Sequence, residues 1–177
     1  MKNNIKMVAV DVDGTFVHSD YTYDIPRFQR ILRRMQDADC RFVVASGNQY
    51  YQLRDLFPGY YDELSVPEEK TYFYYDLFAE RLKGKAEPTT SGHGSIDIIM
   101  PGCHKASGLA RLAGRWGISP MQCAAFGDGG NDIEMLRYCG HSYAMENASP
   151  DVEKAAKHIC PSNEEDGVLV TLERLFE

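Results

Sequence analysis

Residues 7–16, MVAVDVDGTF, join an unbroken apolar run to two carboxylates that lie one residue apart. Four consecutive apolar residues without polar alternation are typical of a strand buried on both faces, as in a parallel sheet covered by helices. In such sheets, ligands bind beyond the carboxyl ends of the strands. The position of Asp11 and Asp13 directly after this run therefore marks a candidate site and constrains the fold around it.

Apolar runs and amphipathic segments alternate along the chain. The segment IPRFQRILRRM is typical of a helix with Asp24 as its cap and Pro26 in its first turn. The predicted apolar face of this helix consists of Ile25, Phe28, Ile31, Leu32 and Met35. The predicted strands are MVAV, RFVVAS, SIDIIMP, CAAFG and SYAM, and the other predicted helices are NQYYQLRDLF, KASGLARLAGRW, DIEMLRYC, PDVEKAAK and GVLVTLERLF. This alternation predicts an α/β fold with a doubly wound, mostly parallel, Rossmann-like sheet.

Size, charge and cysteine content limit the classes of protein to which the chain can belong. Its 177 residues suit a single domain, and the net charge of −7 disfavours nucleic acid or an anionic membrane as a partner, because both bind cationic surfaces. The apolar segment near the N-terminus is too short for a signal peptide or a membrane span, so a cytoplasmic protein is expected. The five cysteines form no C-x-x-C pair, which predicts free, buried thiols.

Polar residues also follow the other predicted strands, where the carboxyl ends of parallel strands meet. They are Ser46, Gly47, Lys105, Asp128 and Asp132. Asp128 and Asp132 make a cluster of four carboxylates with Asp11 and Asp13, and these groups repel one another unless a cation or a proton lies between them. Carboxylate oxygens are hard ligands that suit Mg²⁺. The glycines of DGT and GDGG allow backbone N–H groups to approach an anion closely.

Spacing distinguishes this cluster from a calcium loop. An EF-hand needs Gly at its sixth position, where the chain has Phe16 counted from Asp11 and Ile133 counted from Asp128. Taken singly, a residue such as Ser46 is more often a helix-capping hydroxyl, and one such as Lys105 is more often a solvated lysine. Sequence alone leaves these simpler interpretations open.

Four segments, in order along the chain, resemble the four motifs of the haloacid dehalogenase-like hydrolases, and among these the Cof-like sugar-phosphatase group. They are DVDGT, VVASGN, IDIIMPGCHK and AFGDGGNDIEML. The resemblance covers the chain outside residues 58–94 and implies a haloacid dehalogenase-like core made of residues 1–57 and 95–177. It also implies hydrolysis of phosphate monoesters with Mg²⁺, the substrate being a sugar phosphate or a similar small phosphorylated metabolite.

The resemblance implies a role for each matching residue. Asp11 corresponds to the nucleophile that forms an aspartyl-phosphate, and Asp13 to the general acid and base. The implied ligands of Mg²⁺ are Asp11, the backbone carbonyl of Asp13, Asp128 and Asp132. The implied phosphate-binding groups are the backbone at Val12, together with Ser46, Gly47, Lys105 and Asn131.

Residues 58–94 depart from the family pattern. Members of this group carry a large α/β cap between the second and third motifs, which closes over the site and selects the substrate. In this chain DELS runs straight into VPEEK, and the rest of the segment predicts a small, reduced α/β cap with one helix over about 67–82 and then a short hairpin. The aromatic face of that helix predicts a homodimer through this segment.

Three functions are compatible with these features. The first is a Mg²⁺-dependent phosphatase whose site the shortened cap leaves open. The second is a catalytically weak phosphate-binding or interaction module, because a core without its cap is open to water. The third is a receiver-type phosphoacceptor, which also uses Asp, a hydroxyl and Lys. The D-x-D-G-T order on the first strand disfavours the third, because a receiver places its acceptor Asp on a middle strand.

Overall fold

A computed structural model describes residues 4–47, 56, 87–92, 95–99 and 102–177. The strands in this part of the chain are β1 (Met7–Val10), β2 (Arg41–Val44), β3 (Glu87–Gly92), β4 (Ser95–Ile99), β5 (Cys123–Gly127), β6 (His141–Met145) and β7 (His158–Cys160). The helices are α1 (Ile25–Asp37), α2 (Lys105–Trp116), α3 (Ile133–Tyr138), α4 (Pro150–Ala155) and α5 (Gly167–Leu175). Short 3₁₀ turns cover Pro120–Gln122, Gly130–Asp132 and Asn163–Glu165.

Five of the strands form one parallel sheet in the order β2-β1-β5-β6-β7. The first strand in sequence is therefore central, and Val10 pairs with Val44 on one side and with Phe126 on the other. This register brings the carboxyl ends of β1, β2 and β5 to one edge of the sheet. The predicted α/β class with a parallel, Rossmann-like sheet is confirmed.

The other two strands correct the predicted sheet. SIDII forms a strand as predicted, but β4 pairs antiparallel with β3 in a separate two-stranded sheet and does not join the parallel one. The predicted boundary between residues 94 and 95 falls between β3 and β4, and the division into core and cap stays a prediction. The edge strand β7 has three residues and was not predicted, because a run this short carries no detectable periodicity.

Two predicted helices fall wholly or largely outside the described residues. Of NQYYQLRDLF only Leu56 is described, and it is helical. The aromatic helix predicted over about 67–82 lies entirely outside them, and so does the dimer contact predicted for it. In the described part of the chain, no helix combines the length and the apolar character needed to cross a bilayer.

Helix α1 begins as the sequence predicts. The Asp24 side chain caps it by accepting a hydrogen bond from the Arg27 backbone N–H at 2.9 Å, and Pro26 lies in the first turn. Four of the five residues of the predicted apolar face are buried, but Ile25 is 40% exposed. Ile25 is the first residue of the helix and lies beyond the edge of the core, so the prediction assigned one residue too many to the buried face of α1.

The core lies on both faces of the sheet, and β1 contributes to each. Val8 and Val10 pack against α1 and α5, whereas Met7 and Ala9 pack against α2, α3 and α4. The first face holds an aromatic cluster of Phe16, Tyr23, Phe28 and Phe42, with ring centroids 4.9–5.8 Å apart. All five cysteines are free, and all are buried except the half-buried Cys103. This two-sided burial explains why β1 has no polar residue.

Phe28→Ala should lower the free energy of unfolding by about 3–5 kcal/mol, because it opens a cavity in the aromatic cluster. Ile25→Ala is the matched control on the same helix and should cost less than about 1 kcal/mol, because its side chain is already partly in water. Urea unfolding of the two variants and the wild type measures both losses in free energy of unfolding. Equal losses would contradict the assignment of the buried face.

Candidate active site

The end of β1 and the end of β5 bring two carboxylates together. Asp11 directly follows β1 and Asp128 directly follows β5, and the Asp11 backbone N–H donates to the Phe126 carbonyl at 3.1 Å. This bond continues the pairing of the two strands for one more residue. Asp11 is buried and Asp128 is half-buried, so both lie in a recess at the sheet edge rather than on an open surface.

A third carboxylate is folded back into the same recess by the 3₁₀ turn Gly130–Asp132. The Asp132 Oδ2 atom accepts hydrogen bonds from the backbone N–H groups of Asp128 and Gly129, both at 3.1 Å. The Asp132 side chain is completely buried. These bonds leave the other carboxylate oxygen of Asp132 facing the cluster.

Lys105 supplies the positive charge of the cluster. It is the first residue of α2, where His104 caps the helix by accepting from the Ser107 N–H. The Lys105 Nζ atom lies 2.6 Å from Asp11 Oδ1 and 2.7 Å from Asp132 Oδ1, and the lysine side chain is 9% exposed. Lys105 is therefore a buried cation shared by two carboxylates and not a solvated lysine.

The donor set fits a small divalent cation. Asp11, Asp128 and Asp132 each offer a carboxylate oxygen, and these atoms lie within 4.8 Å of one another. Three carboxylates and one ammonium leave an excess of negative charge in a largely buried recess. All the donors are hard oxygen ligands, which Mg²⁺ prefers. The Thr15 hydroxyl orients Asp128 by donating to its Oδ1 at 2.6 Å.

The shifted pKa values follow from this crowding. Burial raises the pKa of Asp11 to about 8, against the opposing effect of Lys105 and with a further increase from Asp132. Burial also raises the pKa of Asp128, against the hydrogen bond from Thr15. Burial lowers the pKa of Lys105, but the attraction of Asp11 and Asp132 outweighs it and leaves that pKa above its ordinary value. The cluster therefore holds either a proton or a metal cation at neutral pH.

Two glycines leave the space that these carboxylates occupy. Gly14 has a left-handed φ of +72°, and a Cβ there would lie 2.5 Å from Asp128 Oδ2. A Cβ at Gly127 would overlap the Asp132 carboxylate. The sequence interpretation assigned these glycines to backbone contact with an anion. The structure adds a second reason for them, which is room for the carboxylates themselves.

The other predicted phosphate-binding residues lie at the same sheet edge or in the turns beside it. Ser46 is buried two residues beyond β2, Gly47 is exposed, and Asn131 is half-buried in the 3₁₀ turn. The side chain of Val12 belongs to the core, and its carbonyl accepts from the backbone N–H groups of residues 15–17. Their contacts to phosphate stay predictions.

Asp13 has a different environment from the other three carboxylates. It follows the point at which the chain leaves its extended conformation, so the alternation expected from a strand does not continue to it. Its side chain is half-buried and lines a cavity of about 340 Å³ together with Gly14, Tyr21 and Asn163. Among the described residues, the compact metal-binding group consists of Asp11, Asp128 and Asp132.

Sequence reasoning missed two residues of this region. Thr15 orients Asp128, and Tyr21 lines the same cavity as Asp13. Thr15 is part of the D-x-D-G-T motif, so its position next to the carboxylates was a usable signal. Tyr21 lies in a loop with no such signal.

Comparisons with known proteins find similar sequences and a similar structure. The sequence profile of the haloacid dehalogenase-like hydrolases matches residues 8–68 and 63–172. The chain is 32% identical over 263 residues to 5-amino-6-(5-phospho-D-ribitylamino)uracil phosphatase YbjI of Escherichia coli (strain K12), with 98% of this chain and 97% of that protein covered. YitU of Bacillus subtilis (strain 168), which carries the same enzyme name, is 40% identical over 81 residues, or 46% of this chain and 30% of that protein.

A solved structure shares the fold over nearly the whole chain. The crystal structure of SMU.1108c from Streptococcus mutans UA159 superposes with a TM-score of 0.86 at 29% identity. The superposition covers 96% of this chain and 98% of that chain.

The raised pKa of Asp11 predicts how stability depends on pH when a chelator removes divalent cations. The folded state keeps a proton on Asp11 up to about pH 8, whereas the unfolded state loses it near 3.8. Between these values the free energy of unfolding should fall as pH rises, by at most about 1.4 kcal/mol per pH unit. Urea unfolding in EDTA from pH 5 to 8 should show a steeper fall for the wild type than for Asp11→Asn. An equal pH dependence of the free energy of unfolding in the two proteins would contradict the raised pKa of Asp11.

Gly14→Ala should weaken Mg²⁺ binding by about 10- to 100-fold, because the added methyl group displaces the Asp128 carboxylate. Gly117→Ala is the matched control. Gly117 also has a left-handed φ, of +66°, but a Cβ added there would meet no atom of the described residues within 4 Å. Both variants carry similar backbone strain, so a difference in Mg²⁺ affinity, measured by calorimetry, isolates the clash. Similar affinities would overturn this account of Gly14.

Proposed function

The chain belongs to the haloacid dehalogenase-like hydrolases, and from this premise we propose that it is a Mg²⁺-dependent phosphatase acting through an aspartyl-phosphate. Membership of the family confirms the resemblance drawn from the four sequence motifs. The observation that carries the proposal is the buried Asp11 carboxylate, which Lys105 holds beside Asp128 and Asp132. A phosphatase of this kind needs such a carboxylate at a site that neutralises phosphate charge.

The proposed reaction has two steps. In the first, an Asp11 oxygen attacks phosphorus in line with the leaving group, the P–O bond to that group breaks, and Asp13 donates a proton to the leaving oxygen. In the second, water attacks the phosphorus of the aspartyl-phosphate while Asp13 accepts its proton. The bond between phosphorus and the Asp11 oxygen breaks, inorganic phosphate leaves, and the Asp11 carboxylate is restored.

Positive charge for both steps comes from two sources. Lys105, whose Nζ atom donates to Asp11 Oδ1 at 2.6 Å, would contact a phosphoryl oxygen of the substrate. Asp11, Asp128, Asp132 and the backbone carbonyl of Asp13 would hold Mg²⁺, which would supply further neutralisation of the phosphate charge when bound. The chain has a net charge of −7, so an anionic substrate depends on this local positive charge.

The remaining phosphoryl contacts are proposed from the family motifs. Ser46, Gly47 and Asn131 would donate hydrogen bonds to the phosphoryl oxygens, with the backbone N–H at Val12. Charge-assisted bonds of this type fix the phosphorus in line with Asp11, and such positioning supplies most of the rate enhancement in phosphoryl transfer.

We also propose that residues 58–94 are a reduced cap. The family profile matches in two segments that meet at residues 63–68. The alignment with the Escherichia coli relative spans 263 residues, which is longer than this chain, so that protein holds residues that this chain lacks. The dimer contact through residues 58–94 and the cytoplasmic location stay predictions.

The proposed substrate is a sugar phosphate or a similar small phosphorylated metabolite. Both named relatives are phosphatases of 5-amino-6-(5-phospho-D-ribitylamino)uracil, in which a ribityl chain carries the phosphate. That compound is therefore the first candidate to test. A reduced cap would contact less of the leaving group than a large one does, so selectivity among phosphorylated metabolites should be broad.

Asp11→Asn should lower Mg²⁺-dependent hydrolysis of p-nitrophenyl phosphate by roughly a thousandfold or more, because an amide is a poor nucleophile. Asp151→Asn is the matched control, since its side chain is 83% exposed on α4, and it should leave the rate unchanged. The measurement is release of p-nitrophenol with Mg²⁺ and with EDTA. If the wild type and Asp11→Asn are equally inert while both bind Mg²⁺, the phosphate-binding module replaces the phosphatase.

A further inference from the structure

The backbone of Gly14 determines where the Asp128 carboxylate lies. The φ of Gly14 is +72°, and a Cβ at this position would lie 2.5 Å from Asp128 Oδ2, so this oxygen packs directly against the glycine. The next residue, Thr15, donates to the other oxygen, Asp128 Oδ1, at 2.6 Å. Asp128 is one of the three carboxylates of the compact metal-binding group. A shift of the turn that carries Gly14 and Thr15 would therefore move a metal-binding group.

The Asn147 side chain holds this turn from a distant part of the chain. Its Nδ2 atom donates to the Gly14 carbonyl at 2.8 Å, and its Oδ1 atom accepts from the Asn163 backbone N–H at 3.2 Å. A carboxamide offers a donor and an acceptor on one planar group, so it can make both bonds at once. Reversing the amide would set two acceptors and two donors against each other, so the two bonds also determine its orientation.

The backbone around Asn147 is anchored to the parallel sheet. Asn147 lies two residues beyond β6, in a turn that the Ala148 N–H closes by donating to the Met145 carbonyl at 2.9 Å. The Glu146 N–H donates to the carbonyl of Cys160 in β7, also at 2.9 Å. The Asn147 side chain is exposed, but the backbone that carries it is held by these two hydrogen bonds.

Asn163 completes the connection to the turn after β1. It is buried, and its side-chain amide donates to the Val17 carbonyl at 2.9 Å and lies 3.3 Å from Glu164 Oε1. Three hydrogen bonds thus form a closed path that begins at the Gly14 carbonyl and ends at the Val17 carbonyl. This path limits the movement of Gly14 relative to β6.

We propose that Asn147 is a positioning residue for Asp128. By holding the Gly14 carbonyl, it fixes the turn against which the Asp128 carboxylate packs, and so it increases the affinity of the site for Mg²⁺. The proposal rests on the Mg²⁺ site of the proposed function and not on the hydrolysis. Asn147 acts through the backbone of Gly14 and is not itself proposed as a ligand. A residue with a purely structural role would stabilise the fold without changing the affinity of the folded protein for Mg²⁺.

Asn147→Ala should weaken Mg²⁺ binding by about three- to tenfold, because the turn that positions Asp128 loses an ordinary hydrogen bond. Isothermal titration calorimetry with Mg²⁺ measures this affinity in the folded protein. Ser149→Ala is the matched control. Ser149 is exposed two residues further along, its side chain makes no capping hydrogen bond to α4, and its removal should leave the affinity unchanged.

Asn147→Asp tests the donor separately from the acceptor. The carboxylate can still accept from the Asn163 N–H, but it cannot donate to the Gly14 carbonyl. The added negative charge alone would strengthen the binding of a cation. Weaker Mg²⁺ binding in this variant therefore has its cause in the lost hydrogen bond to Gly14.

An Asp128→Asn background tests the route of the effect. In this background Asn147→Ala should cause no further loss of Mg²⁺ affinity, because its effect passes through Asp128. The affinities of these weaker sites follow from the rise in melting temperature with Mg²⁺ concentration.

The outcomes separate this inference from the proposed function. A wild type that binds Mg²⁺ but does not hydrolyse p-nitrophenyl phosphate overturns the phosphatase and leaves the test of Asn147 intact. Wild-type or higher Mg²⁺ affinity in either Asn147 variant overturns the positioning role, whatever happens to the melting temperature. An equal loss in Ser149→Ala, or a full further loss in the Asp128→Asn background, overturns it too. A wild type that does not bind Mg²⁺ overturns the metal site and the role of Asn147 with it.

Discussion

The site depends on the two ion pairs of the Lys105 ammonium group. It joins segments that are distant in sequence: Asp11 after β1, its own position at the start of α2, and Asp132 in the turn after β5. Three carboxylates this close repel one another, and the lysine offsets part of that repulsion inside a largely buried recess. Removing one partner of such a buried pair leaves an uncompensated charge, which is among the most costly changes in a protein.

The parallel sheet makes this contact possible. Because β1 lies between β2 and β5, the residues that follow all three strands reach the same edge. The side chains of β1 are buried on both faces, so the strand and the carboxylate that follows it have little freedom to move. Gly14 and Gly127 then leave space where side chains would displace Asp128 and Asp132. Core packing, sheet order and small residues thus combine to hold charged groups in an unfavourable arrangement.

That unfavourable arrangement has a functional meaning. A recess with excess negative charge binds a divalent cation strongly, and a cation beside a buried carboxylate suits transfer of a phosphoryl group. Apolar burial elsewhere offsets the stability lost to carboxylate repulsion, and the aromatic cluster under α1 is one part of that burial.

The sequence by itself determined the features that depend on local pattern. It predicted the strands MVAV and CAAFG, the bounds of α2, the Asp24 cap and the carboxylates after β1 and β5, because burial, capping and strand ends leave periodic or positional signals. Only the tertiary structure decided the antiparallel pairing of β4, the short edge strand β7, the exposure of Ile25 and the cavity that Tyr21 shares with Asp13. Each of these features depends on which segments, distant in sequence, pack against each other. A local sequence pattern does not contain that information, because the contacts form only when the chain folds.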